Sequence, residues 1–346
     1  MLTSDMLVDG VHFSDRTTTP EDAGWRAAAA NLSDLAAMGA TPLGLTVALG
    51  VPGEVTVDWV ERLYQGLTAC LQQYQTPIVG GDVCRSPIRT IAITAFGEAA
   101  PHQIMRRSTA QPGDAILVTG FHGASRAGLE LLLHPERGQS LNSGDRAALI
   151  QAHQRANPRL DVLPLLQKAE GRGQGAEGGN QELGVRSQES GVRSQESVPI
   201  QNSKLKIQNS KFKPPPYPTP YTPHPITAMD SSDGLADAVI QICRASRVGA
   251  RVERSQIPLP AGLETWVGAA QSLDWALYGG EDFELVLCLG STEAGELLQQ
   301  LGKGAAIVGT ITNDSKVWLV DAANNQPAQP LNLDLGFQHF GSDASE

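Results

Sequence analysis

One polar stretch decides which parts of this chain can build a core. From Glu170 to about Thr222 it carries GVRSQES twice in tandem (184–190 and 191–197) and IQNSK twice (200–204 and 207–211), then ends in the proline-rich run KPPPYPTPYTP. Short perfect repeats with few apolar residues bury too little surface to offset the entropy of ordering a backbone. The expectation is a disordered, looped-out insertion over residues 170–222, since lengthening a surface loop costs little closure entropy. A partner-binding arm with a polyproline II ligand is the functional alternative. Any core must come from the residues on either side.

Those residues alternate between helix and strand signals. Thr19-Pro20-Glu21-Asp22 has the cap, first-turn proline and acidic residues of a helix start, and Gly39 is placed to end that helix. An apolar strand is expected over Leu43–Val51. Thr56 can cap a second helix with Val60, Leu63, Leu67 and Leu71 on one face. Ile78-Val79 runs into Gly80-Gly81-Asp82, and Thr90–Phe96 reads as a β-branched strand. A linker around Gln111–Asp114 leads to the strand Ala115–Val118. After the insertion, Ile226–Asp230, a helix from about Leu235 and the strand Phe283–Leu289 complete the pattern. Alternation of this kind implies an α/β or α+β fold. The expected domains are 1–112 and 113–346, the second interrupted by the insertion.

Bulk properties narrow the function. No apolar run is long enough to span a membrane, and MLTSDMLVDGVHF lacks the basic and continuous apolar regions of a signal peptide. Cys70, Cys84, Cys243 and Cys288 lie far apart with no CxxC pair, which fits reduced thiols in a cytoplasm better than a disulfide framework or a zinc site. The formal net charge of −11 argues against a nucleic-acid surface. It does not argue against handling phosphates, because a site that works through metal ions needs carboxylates rather than cations.

Five aspartates stand among small residues: Asp5 after Ser4, Asp34 in Asn31-Leu32-Ser33-Asp34, Asp82 after Gly80-Gly81, and Asp230 and Asp233 in Asp230-Ser231-Ser232-Asp233-Gly234. Singly, each has an ordinary structural explanation as a turn or helix cap. Together they suit Mg²⁺, which takes a few carboxylates and completes its shell with water and phosphate oxygens. Asp34 is the most telling, because it interrupts an Ala- and Leu-rich helix where a buried carboxylate needs a cation or several donors. Asp233-Gly234 precedes the apolar-periodic Leu235, Val239 and Ile242, so Ser232 and Asp233 sit where a helix N-terminus could hold phosphate. Neither a GxxxxGK[ST] loop nor a GxGxxG turn is present.

DMLVDGVHF (5–13), NLSDLAAMGA (31–40), GGD (80–82), RRSTAQPGD (106–114), MDSSDGL (229–235) and GGEDFEL (279–285) resemble, in that order, the motif set of thiamine-monophosphate kinases. NLSDLAAMGA with GGEDFEL is particular to that family. The acidic plan alone is shared with aminoimidazole ribonucleotide synthetase, selenophosphate synthetase and the hydrogenase-maturation dehydratase. The resemblance implies a two-domain aminoimidazole ribonucleotide synthetase-like fold, with an N-terminal dimerising domain and a C-terminal α/β domain. It implies Mg²⁺-dependent transfer of the ATP γ-phosphate to thiamine phosphate in a cytoplasmic homodimer, with ATP near the interface.

By the same resemblance Thr3, Ser4, Asp5, Asp34, Asp82, Asp230 and Asp233 would bind Mg²⁺. Gly81, Asp82, Arg107 and Ser232 would contact ATP, and His12, Glu281 and Phe337 thiamine phosphate. A solvated His12, a surface Arg107 and a core Phe337 are the structural alternatives. Family members carry a glycine-rich stretch with paired aspartates ahead of the strand that here includes Thr3-Ser4-Asp5. A chain beginning at Met1 is therefore expected to be weakly active or inactive. Two rival functions stay open: another ATPase of the superfamily, and a catalytically silent nucleotide-binding scaffold.

Overall fold

The computed structural model describes residues 1–171, 225–321, 323–324 and 326–336. Phe337 and the expected insertion, apart from Glu170 and Gly171, lie outside the described residues. The chain opens with β1 (Leu2–Val8), followed by α1 (Pro20–Ala37). The Thr19 hydroxyl accepts from the Asp22 N–H at 3.2 Å, and Gly39, at φ +74°, turns the chain out of the helix. β2 (Thr41–Val51) starts two residues earlier than the apolar run suggested, because Thr41 and Pro42 already pair with Glu98 and Gly97. α2 (Val57–Gln72) is capped by Thr56, which accepts from Trp59 N. β3 (Ile78–Arg85) and β4 (Thr90–Glu98) complete a four-stranded sheet of order β1-β4-β2-β3.

α1 and α2 cross so closely that side chains are excluded at the contact. A Cβ on Gly24 would lie 2.0 Å from Leu63 O, and one on Gly66 1.7 Å from Glu21 O. The pair covers one face of the sheet, burying Leu45, Val47, Leu49, Ile91 and Ile93. The other face is open. Strand register and alternation put Ser4, Met6, Thr94, Thr46, Ala48 and Asp82 on it, and Thr3, Asp5 and Leu7 on the helix side.

The second sheet has seven strands in the order β11-β10-β7-β9-β5-β8-β6. In chain order its region runs β5 (Ala115–Val118), α3 (Ala124–Leu133), α4 (Ser143–Gln154), α5 (Leu163–Gly171), β6 (Thr227–Asp230), α6 (Leu235–Ser246) and β7 (Gly249–Glu253). Then come α7 (Leu263–Val267), α8 (Ala269–Tyr278), β8 (Leu285–Leu289), α9 (Ser291–Leu298), β9 (Ala306–Thr312), β10 (Val317–Asp321) and β11 (Gln326–Pro330). β8 is buried on both faces, which is why it reads as an unbroken apolar run. Leu285, Leu287 and Leu289 join the core of α1 and α2, while Val286 and Cys288 pack with Val239 and Ile242 of α6. One apolar mass thus continues from the first sheet's helices onto the second sheet and fixes the two together.

The strand expected from Phe283 begins only at Leu285. Glu281 and Phe283 have φ of +58° and +53°, left-handed values that no strand accommodates. Gly81 lies within edge strand β3, and a Cβ there would be 2.0 Å from Val47 O, so close strand approach explains that glycine. Among the described residues no helix is long and apolar enough to cross a membrane.

Candidate active site

Two loops at strand ends carry the acidic motifs, and they bind each other through the main chain. The turn after β6 holds Asp230 to Gly234, and the turn before β8 holds Gly279 to Glu284. Glu281 N donates to Ser232 O (2.7 Å), Ser231 N donates to Glu284 O (2.9 Å), and Glu284 N donates to the Ser231 hydroxyl (3.2 Å). Against them stand Asp5 of β1 and Asp34 of α1. Asn31, one turn before Asp34, donates to Ala27 O (3.0 Å) and accepts from Asp5 N (3.3 Å), pinning the strand to the helix.

Asp5, Asp34, Asp230, Ser232 and Asp233 line a cavity of about 730 Å³, together with His12, Arg26, Arg126, Trp275 and Glu281. Asp5 is pushed up to about 6 by burial, then by the charges of Asp34 and Asp233. Asp230, fully buried at the end of β6, is pushed up to about 7 by burial and by Asp34. Burial also raises Asp34, against a hydrogen bond from the Thr3 hydroxyl and the nearby charge of Arg107. Asp230 is held by hydroxyls too, from Ser33 at 2.6 Å and Ser232 at 3.3 Å. Ionising these carboxylates together is unfavourable unless a cation balances them.

Their donor set fits Mg²⁺: oxygen atoms only, with negative charge already concentrated and desolvated. Among the described residues no three carboxylate, imidazole or thiol groups converge closely enough to hold an ion unaided. Water and phosphate oxygens would have to complete the shell, which is the habit of this ion.

The expected residues divide between two places. Thr3, Asp5, Asp34, Asp230, Ser232 and Asp233 gather at or beside the cavity, and so do His12 and Glu281. His12 accepts from Val8 N at Nδ1 (3.1 Å), so in the neutral ring the proton sits on Nε2. Ser4 and Asp82 do not join them. Ser4 faces the open side of the sheet, where its hydroxyl donates to Ile93 O (3.0 Å). Asp82 shares that face at the far edge and accepts from Val83 N (2.9 Å). Gly81 is on β3 as well, away from the cavity. Arg107 is exposed and bears electrostatically on Asp34 and Asp237.

Several residues that shape the site carried no sequence expectation. Asp282 is buried and accepts from Gly123 N (2.7 Å) and Ser125 N (2.9 Å), capping α3. Glu284 accepts from the Thr119 hydroxyl (2.6 Å) and from the Arg159 guanidinium. Arg26, a buried cation of α1, donates to Glu281 Oε1 (2.5 Å). Arg126 stacks over Trp275 at 5.2 Å in the cavity wall. Arg26 gave the same signal as Asp34, a charge inside an alanine helix, and could have been found by it.

Residues 1–99 match the family model described as AIR synthase related protein, N-terminal domain. The thiamine-monophosphate kinase of Synechococcus elongatus (strain ATCC 33912 / PCC 7942 / FACHB-805) is 46% identical over 340 residues, which cover 98% of this chain and 86% of the relative. The crystal structure of thiamine-monophosphate kinase from Stenotrophomonas maltophilia K279a matches with a TM-score of 0.70 at 27% identity, over 93% of this chain and 86% of that one. AaThiL complexed with AMPPCP and TMP matches with a TM-score of 0.69 at 25% identity, over 95% and 86%. These likenesses bear out the expected α/β fold.

Proposed function

The chain belongs to the thiamine-monophosphate kinase family, and we propose that it moves the γ-phosphate of ATP onto thiamine phosphate, giving thiamine diphosphate and ADP. The observation that carries this reading is one cavity lined both by the desolvated carboxylates Asp5, Asp34 and Asp230 and by His12 and Glu281. A relative of the same fold was solved with AMPPCP and TMP together.

The acceptor phosphate of thiamine phosphate is an anion at neutral pH, so its oxygen attacks the γ-phosphorus without a general base. A new P–O bond forms as the bond to the β-phosphate oxygen breaks, and the electron pair leaves with ADP. This accounts for a site rich in aspartate with no base beside a nucleophile. Thr3, Asp5, Asp34, Asp230 and Asp233 would hold Mg²⁺, which when bound neutralises the two approaching polyanions and orients the transferred group. Arg107 and Ser232 would contact ATP, and His12, Glu281 and Phe337 the acceptor.

The same reading includes a homodimer with ATP near its interface. The open sheet face supports it, since Leu2 and Met6 stand 68% and 55% exposed there. Gly81 and Asp82 would then act from β3, at the edge of that face.

Labelled ATP supplied with thiamine phosphate or with free thiamine tests the proposal. Product should come from thiamine phosphate. Equal or greater product from free thiamine would overturn it, because the attacking group would then be a neutral hydroxyl rather than the phosphate anion on which the mechanism rests.

A further inference from the structure

A ring of hydrogen bonds begins and ends on two consecutive residues of the 279–285 segment. Glu281 Oε1 accepts from Arg26 Nη2 (2.5 Å), and Arg26 Nη1 donates to His153 Nε2 (2.8 Å). His153 Nδ1 meets the Ser125 hydroxyl (3.1 Å), and the main-chain N–H of Ser125 donates to Asp282 Oδ1 (2.9 Å). The ring therefore ties α1, α4 and the start of α3 to the loop before β8.

The chemistry of its members sets the direction of every bond. A guanidinium only donates, so His153 Nε2 must accept and its proton must lie on Nδ1, from which it donates to Ser125. Burial, with the charges of Arg26 and Arg126 adding, pushes His153 down to about 2, so the imidazole stays neutral and the direction holds. Asp282 is anchored separately by Gly123 N–H.

The loop that the ring grips is strained. Gly280, Glu281 and Phe283 all have positive φ, and such backbone persists only where the surroundings over-determine it. Arg26 and His153 are each 2% exposed, whereas Glu281 remains 34% exposed in the cavity wall. Two buried groups with no solvent role thus terminate on one carboxylate that a ligand can reach.

We propose that Arg26 and His153 are positioning residues for the acceptor: they fix the place and tilt of the Glu281 carboxylate, with Ser125 and Asp282 closing the ring. The inference rests on the reading that Glu281 contacts thiamine phosphate. A carboxylate suits the cationic, amino-bearing organic part of that molecule rather than its phosphate, so the ring bears on acceptor recognition and leaves the nucleotide alone.

The test is calorimetry on the full chain, with Mg²⁺ present throughout. Thiamine phosphate is titrated in the presence of AMPPCP, and AMPPCP is titrated separately. His153→Leu leaves Arg26 with one acceptor fewer and should weaken thiamine phosphate about tenfold or more. His153→Gln, whose amide oxygen can accept from Arg26, should recover most of that loss. Ser125→Ala should weaken it by about threefold, and AMPPCP should stay within about twofold in every variant. Equal weakening of both ligands overturns the inference, and so does a glutamine variant as poor as the leucine one. Should the leucine variant not fold, unchanged thiamine phosphate affinity in Ser125→Ala overturns it equally. A wild type that does not bind thiamine phosphate sinks the functional reading and this inference together. Wild-type binding that His153→Leu leaves intact sinks the inference alone.

Discussion

Two sets of carboxylates stand in and behind this cavity, and the protein neutralises one while it leaves the other unbalanced. Asp282 is capped by two main-chain N–H groups, Glu284 is paired with Arg159, and Glu281 with Arg26. Asp5, Asp34 and Asp230 are desolvated as well, yet Asp34 and Asp230 receive side-chain hydrogen bonds from hydroxyls. Among the described residues none of the three forms a salt bridge. After burial, the main influence on Asp282 is hydrogen bonding that lowers it, whereas for Asp230 it is a like charge that raises it further. Burial alone therefore does not mark a ligand site. Negative charge that the fold has gathered and left unbalanced does, because folding by itself gains nothing from it.

The largest effect that could break this contrast is in the unbalanced set. Asp34→Asn or Asp230→Asn keeps the shape and removes the charge that a divalent cation needs. Turnover should fall about a hundredfold or more, and Mg²⁺-dependent ATP affinity should fall with it. Melting temperature should hold or rise, since repulsion is relieved. Calorimetry and thermal melting on the same samples decide the matter, and unchanged nucleotide affinity with lost stability would move the residue into the paired set.

The paired set should respond the other way. Glu284→Gln leaves the buried Arg159 only the more exposed Asp161 as a carboxylate partner, and Asp282→Ala leaves the first N–H groups of α3 unsatisfied. Each should cost about 2–4 kcal/mol of stability. Denaturant midpoints measure this, and a change below about 0.5 kcal/mol would show that these carboxylates are not part of the scaffold.

Acidity sharpens the contrast. Asp5 and Asp230 have native-state values of about 6 and about 7, above the ordinary 3.8. Between 3.8 and those values the native chain binds more protons than the unfolded chain, so their contribution to stability falls as pH rises through that window. The stability advantage of Asp230→Asn over wild type should thus be greatest above pH 7 and shrink toward pH 4. His122 and His153, pushed down to about 4 and about 2 by burial, oppose the trend below their ordinary value of 6.5. Comparing variant with wild type cancels them. Protons also compete with a cation for Asp5 and Asp230, so ATP affinity in Mg²⁺ should rise with pH across the same range. An advantage that grows on acidification would mean Asp230 is not repelled by its neighbours.

What was legible in the sequence was local. Caps at Thr19 and Thr56 and the periodic face of α2 are each written within one element, and they come out as read, whereas the apolar run of β8 was legible but starts two residues later than expected. The acidic motifs were legible as types of residue in order. What stayed hidden is carried by partners distant in the chain: Arg26 meets His153 across 127 positions and Glu281 across 255. No periodicity links them. The left-handed backbone at Glu281 and Phe283 was hidden for a related reason, because neither residue type announces it and tertiary contacts impose it. Within GGEDFEL the three carboxylates part company, Glu281 to the cavity and Asp282 and Glu284 to the scaffold, a division that spacing alone does not disclose.

The finest division runs through two adjacent residues of β1, and it offers the smallest measurable effect. Thr3 and Ser4 were expected to serve the same ions, but strand alternation turns them to opposite faces of the sheet. The Thr3 hydroxyl donates to Asp34, whereas that of Ser4 donates to Ile93 O and meets Thr94 Oγ1 at 3.2 Å on the open side. Thr3→Val removes one of the few donors to a desolvated carboxylate, and should weaken Mg²⁺-dependent ATP binding by about threefold to tenfold. Ser4→Ala removes exposed contacts with neighbouring strands, and should change affinity by less than about twofold and stability by about 0.5 kcal/mol or less. Titrating ATP into both variants in excess Mg²⁺ separates the cases. A tenfold loss from Ser4→Ala would mean that the open face itself belongs to the nucleotide site. That result would favour a second copy of the chain laid against it, bringing Asp82 and Ser4 to a site shared between two subunits.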